Sequence, residues 1–86
     1  MQRGWVVSPN YRIAIEAIVQ ARETAGISQR ELARRLDKPP SFVNKIERLE
    51  RRLDILELLA IADALRVEPD RLVTELRKRL PPEFIL

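Results

Sequence analysis

At 86 residues, with 45% hydrophobic and 34% charged side chains, the chain has the composition of one small globular domain, with no room for a second lobe. It contains neither Cys nor His, which removes disulfides, zinc fingers, thiol nucleophiles and the commonest general base, so neither a cofactor nor an enzymatic activity is expected. The net charge of +3 is unevenly spread: residues 22–52 carry nine Lys or Arg against five Asp or Glu, while the remainder carries seven against eight.

The first segment, MQRGWVVSP, has an apolar stretch too short for a secretory signal, and no run approaches the roughly 18 apolar residues of a membrane span. A cytoplasmic chain without membrane attachment is expected. Ser8 and Pro9 supply an N-cap and first position for a helix that runs to about Ala25, where Gly26 suits the left-handed residue that closes it. Tyr11, Ile15, Ile18 and Arg22 share one stripe of that helix, which puts a guanidinium beside three core side chains.

A second helix starts at Ser28. With Glu31 three residues on, Ser28 has the spacing of a reciprocal capping box, and Ile27 and Leu32 have that of a hydrophobic staple. The helix continues through Leu32, Ala33 and Leu36 and stops at Asp37, because Pro39 and Pro40 cannot extend it. Pro40 then opens a third helix at a position that needs no donor. Val43, Ile46 and Glu47 lie on one side of it; Ser41, Asn44, Lys45 and Arg48 lie on the other. Hydroxyl, amide, ammonium and guanidinium are the groups that read base edges and hold phosphates, although a polar helix face is commonly no more than solvated.

A fourth helix begins at Asp54, boxed by Glu57 and stapled by Leu53 and Leu58, with Leu58, Ile61, Ala62 and Leu65 facing inward. A fifth opens near Pro69 and carries Leu72, Val73, Leu76 and Leu80 before Pro81 and Pro82 end it. Four such side chains exceed what a terminal helix of this size usually buries, which suggests a partner surface. The flanking segments WVVS and EFIL are short, apolar and β-compatible, and either pair within or between chains or cover the open ends of the core.

Glu47 lies on the packed side of the third helix as Arg22 does on the first. Two arrangements satisfy them. Either they pair and tie the two helices together, or Arg22 snorkels to solvent while Glu47 pairs with Arg51 one turn away.

Residues 22–72, RETAGISQRELARRLDKPPSFVNKIERLERRLDILELLAIADALRVEPDRL, resemble the Xre/Cro-type helix-turn-helix family. The resemblance is carried by AGISQRELA, by SFVNKIE as the recognition segment, and by LDILELLAIADAL and VEPDRL as fourth and fifth helices. It implies an all-α, five-helix lambda-repressor-like DNA-binding domain with short apolar N- and C-terminal flanks. The expected organisation is one domain over residues 1–86, with a core over about 11–76 and the helix-turn-helix over about 28–48.

The resemblance also implies residue roles. Arg22 and Glu47 correspond to the family's structural salt bridge. Gln29 matches the position that bonds a DNA phosphate, with Arg30 beside it at a helix N-terminus that itself attracts anions. Arg48, Arg51 and Arg52 at the far end of the recognition helix either grip phosphates or form a solvated basic surface, and Ser41, Asn44 and Lys45 are expected to face the bases in the major groove. Phe42 either touches a thymine methyl or covers the core edge. Three positions depart from the family pattern: Asp37 replaces a frequent turn glycine, Pro40 a frequent glutamine, and Leu49 a frequent glycine, so that Leu49 either extends the helix or packs beside Phe42 and Ile46.

The expected function is therefore a sequence-specific DNA-binding transcriptional regulator, a repressor on a palindromic operator, assembled as a homodimer through helix five and the terminal segments. Its rival is an antitoxin-like or other protein-interaction module whose partner is a protein and for which DNA is secondary. A large exposed apolar patch would mark the rival.

Overall fold

The computed structural model describes residues 8–86. WVVS therefore falls almost wholly outside the described residues. Five helices follow in order: α1 (Pro9–Thr24), α2 (Gln29–Arg35), α3 (Pro40–Glu47), α4 (Ile55–Leu65) and α5 (Pro69–Arg79). The described residues contain no strand, and EFIL is irregular chain. Instead, Arg77 donates to the carbonyls of Pro81 and Pro82 and its guanidinium lies over the Phe84 ring, while Asn10 donates to the carbonyl of Ile85. The side chains of Ile85 and Leu86 remain exposed.

Helix starts follow local chemistry. Ser8 Oγ accepts from the Tyr11 N–H, and Asp54 and Glu57 form a complete capping box, each carboxylate accepting from the other residue's backbone N–H. At α2 the expected box is only half formed. Ser28 Oγ accepts from the Glu31 N–H at 3.0 Å, but the Glu31 carboxylate turns away to Arg34 and Arg35, at 2.6 and 2.9 Å. Two charge-assisted donors one turn on outcompete a single neutral N–H.

Helix ends share a second device. After α1, α2, α3 and α4 the chain passes through one left-handed residue, namely Gly26, Asp37, Leu49 and Arg66, with φ of 72°, 58°, 64° and 60°. In each case the next N–H closes a Schellman bond, as from Glu50 to the Lys45 carbonyl at 2.8 Å. Leu49 thus ends the recognition helix and does not extend it. It tolerates the left-handed conformation because its side chain, 5% exposed, is inserted in the core.

That core is formed by Ile15 and Ile18 of α1, Leu32 and Ala33 of α2, Val43 and Ile46 of α3, Leu49, and Ile61 and Leu65 of α4. Helix α1 packs against α5 and α3, and α2 packs against α3 and α4. The surplus of apolar surface is not on α5, where Leu72 is buried, Leu76 and Leu80 are half-buried, and only Val73 of the four is exposed. Among the helices it lies mainly on α4, where Ile55, Leu56 and Leu59 are 76%, 75% and 40% exposed; Ile85 and Leu86 of the C-terminal segment add to it. The α4 sequence is apolar on nearly every side, so its inward stripe leaves a second apolar face outside.

The two kinds of left-handed residue should respond oppositely to glycine. Arg66→Gly relieves backbone strain at an exposed position and is expected to stabilise the fold by up to about 1 kcal/mol. Leu49→Gly relieves the same strain but removes a buried side chain, and should cost about 2 kcal/mol or more. Paired thermal melts of the two variants check the difference in sign.

Candidate nucleic-acid interface

The face of α3 is oriented by a pair of charges behind it. Arg22, buried near the end of α1, donates from Nε to Glu47 Oε2 at 2.7 Å and from Nη2 to Oε1 at 3.1 Å. The side chains are 11% and 8% exposed. Arg22 Nη1 donates to the Ile27 carbonyl at 2.7 Å, so one guanidinium holds the α1 to α2 connection as well as α3. Glu47 is thus turned inward to Arg22, away from Arg51. Gln29 at the start of α2 adds a third donor: its Nε2 lies 2.7 Å from Glu47 Oε1, and its Oε1 accepts from Asn44 Nδ2 at 3.3 Å. No buried side-chain polar atom among the described residues lacks a partner.

In front of this network, Ser41, Lys45 and Arg48 are exposed on the side opposite Val43 and Ile46, and Asn44 is half-buried at the edge of that side. Arg30, next to Gln29, is exposed, and neither it nor Lys45 makes an ion pair or hydrogen bond among the described residues. Arg48 reaches Glu50 at 3.2 Å in an exposed pair, which is a weak interaction in water. These side chains form a polar, cation-bearing ridge on the second helix of a tight helical pair.

Other residues singled out from the sequence have different surroundings. Arg51 makes a two-pronged pair with Glu57, at 2.8 and 2.6 Å, and donates to the carbonyl of Arg52. Its guanidinium also lies 4.7 Å from the centre of the Phe42 ring, and Lys38 Nζ lies 5.4 Å from the same ring. Phe42 packs against the core edge, with two cations near its ring. Arg52 lies over Tyr11, whose hydroxyl accepts from the Leu53 N–H. Arg51 is thus a strut between the recognition helix and α4, the result of a carboxylate six residues away that a helical repeat does not bring to mind. Glu57 was legible only as a capping residue; the second task of the same carboxylate appears once the α3 to α4 loop folds back.

A capped helix, a four-residue turn and a second helix with an apolar back and a polar front, set among five helices, define a DNA-binding transcription regulator of the helix-turn-helix class. The chain belongs to the Xre-type helix-turn-helix family: the model of that family, described as helix-turn-helix, matches residues 18–72. Among solved structures it is similar to an XRE-family like protein from Pseudomonas syringae pv. tomato, at 39% identity over 84% of this chain and 88% of that one, with a TM-score of 0.76. It is also similar to the restriction-modification controller protein C.AhdI from Aeromonas hydrophila, at 30% identity over 70% of this chain and 91% of that one, TM-score 0.63. A point mutant of the restriction-modification controller protein C.Esp1396I matches at 26% identity over 84% of this chain and 96% of that one, with a TM-score of 0.78. Comparison with curated protein sequences gives no significant match.

Removing either member of the Arg22 and Glu47 pair leaves the other charge buried and unpaired. Arg22→Ala should therefore destabilise by about 3 kcal/mol or more, and a fall in melting temperature below about 2 °C would contradict a structural role. The outer pairs give an acid signature. Arg34 and then Arg35 hold the Glu31 carboxyl down to about 2, and Arg51, with the Asp54 N–H, holds Glu57 below its usual 4.5. Both folded values are lowered, so their contribution is complete above the ordinary carboxylate value and is lost as pH falls through the lowered one. Glu57→Gln should lower the melting temperature at pH 7 by roughly 4–8 °C, the equivalent of about 1 kcal/mol. The difference from the unaltered chain should shrink as the pH is taken from 4.5 towards 2.

Proposed function

We propose that the chain is a sequence-specific repressor that binds a palindromic operator as a homodimer, with α3 in the major groove. Ser41, Asn44 and Lys45 read base edges; Gln29, Arg30 and Arg48 hold phosphates on either side of the groove. The observation that carries this reading is the ridge on α3: an exposed hydroxyl and ammonium beside a half-buried amide, directly opposite two fully buried apolar side chains. A solvated face would need no such fixed backing. Arg51 is left out of the phosphate set because Glu57 and the Arg52 carbonyl already take its donors. The similar proteins C.AhdI and C.Esp1396I are controller proteins of restriction-modification systems, which supports a regulatory role.

Two recognition helices must sit about one DNA turn, roughly 34 Å, apart on a two-fold site. The homodimer surface is the apolar stripe of Ile55, Leu56 and Leu59 on α4, the largest exposed apolar side chains on any one helix. The same stripe favours a second reading, in which a different protein covers it and DNA binding is subordinate. No helix among the described residues is long and apolar enough to cross a membrane, and a cytoplasmic site of action accords with a DNA target.

Selection of bound sites from random DNA tests the first reading, which expects an enriched two-fold motif. Asn44→Ala should cost about 1–3 kcal/mol on that motif and relax its specificity. Arg30→Ala should weaken all sequences alike and reduce the salt dependence by about one phosphate. Equal losses on selected and random DNA for Asn44→Ala would sink the readout role. Sedimentation at tens of micromolar should show a dimer that Leu56→Glu converts to a folded monomer; a chain that is monomeric both free and on its operator would exclude the dimer.

A further inference from the structure

We infer that Glu47, acting through Gln29, fixes which end of the Asn44 carboxamide faces the groove, so that Asn44 selects a base carrying an exocyclic amine. The inference rests on the DNA-reading function proposed above. It starts from a carboxylate that can only accept. Glu47 receives Arg22 Nε and Nη2 and, at 2.7 Å, Gln29 Nε2. Gln29 must point its donor end at that carboxylate, because the reversed amide would set a carbonyl oxygen against a carboxylate oxygen and forfeit a charge-assisted bond.

With the donor end of Gln29 committed, its Oε1 is the end that meets Asn44. An oxygen can only accept, so Asn44 must offer Nδ2, as it does at 3.3 Å. Asn44 Oδ1 is then left without a partner among the described residues, on the half-exposed edge of the ridge that carries Ser41 and Lys45. A freely rotating asparagine could present either a donor or an acceptor edge, and would discriminate weakly between bases. A locked one leads with an acceptor. In the major groove its complements are adenine N6 and cytosine N4; adenine alone also offers N7 to the second Nδ2 hydrogen. Gln29 and Glu47 are therefore positioning residues for base choice, in addition to any phosphate contact by Gln29.

The test uses two substitutions of Gln29. Gln29→Met keeps an unbranched side chain of similar size and loses both the donor and the acceptor; Gln29→Lys keeps a donor for Glu47 but has no acceptor for Asn44. In the free protein, one Asn44 side-chain amide proton should show the shift and slowed exchange of a hydrogen-bonded group by nitrogen-edited NMR, and should revert to free-amide values in both variants. On DNA, the preference of the unaltered chain for an amine-bearing base opposite Asn44 should be about tenfold or more. It should fall to about twofold in both variants, even though Gln29→Lys, with its added charge, binds random DNA more tightly.

Loss of affinity in Gln29→Met that is equal for both bases, or retention of the preference in Gln29→Lys, would overturn the inference and leave Gln29 a phosphate contact only. So would an Asn44 amide resonance that is the same in all three proteins. If the unaltered chain enriches no motif while the amide resonances behave as expected, the DNA reading itself fails and base selection by Asn44 fails with it.

Discussion

The Arg22 and Glu47 ion pair is the constraint on which the rest of this small structure depends. It joins the last turn of α1 to the last turn of α3, and the same guanidinium takes up the Ile27 carbonyl in the connection to α2. Three of the five helices thus have their relative placement set by one planar group with five donors in fixed directions. A hydrophobic contact of the same area would hold the helices together but would permit them to slide. Ions this buried stay stable only with their partners in place, so sliding α3 would strand a charge. The pair therefore specifies an orientation, and that orientation decides which side of α3 meets solvent.

Two outer struts extend the restraint without adding to the core. Arg51, bound to Glu57 and stacked on Phe42, connects the recognition helix to the start of α4, while Arg35 donates to the Ala64 carbonyl near its end. The helices α2 and α3 span only seven and eight residues and would be marginal alone. They persist because Leu32, Ala33, Val43 and Ile46 pack into the core, with Arg35 linking α2 to α4 and Arg51, which lies over Phe42 and pairs with Glu57, linking α3 to α4. The unpaired apolar stripe on α4 lies on the element to which both struts are anchored.

Most of the helical plan was legible in the chain because it is written in local rules. Ser8, Pro9, Gly26, Ser28, Pro40, Asp54 and Pro69 each act on backbone groups within four residues, and the helices begin or end where those rules place them. Competition between near neighbours was harder to read. The Glu31 carboxylate had the spacing for a capping box and also for ion pairs one turn on, and the stronger charged partners took it. Leu49 could continue a helix or pack; which it does depends on a cavity assembled by Ile46 and the other helices. Its left-handed backbone is the local cost of filling that cavity.

By itself the sequence determined the number of helices, their starts, most of their buried positions and the row of polar side chains on α3, since periodicity and capping are properties of contiguous residues. It also placed an arginine and a glutamate on apolar stripes, where each needed a partner. Only the tertiary structure decided that Arg51 belongs to Glu57, that Gln29 stands between Glu47 and Asn44, and that the larger uncovered apolar face among the helices belongs to α4 and not to α5. Each of those facts depends on which side chains meet across 6 to 18 positions of chain or on which face of a helix its neighbours leave bare. Such meetings follow from how helices pack, for which an isolated stretch of sequence holds no local signal.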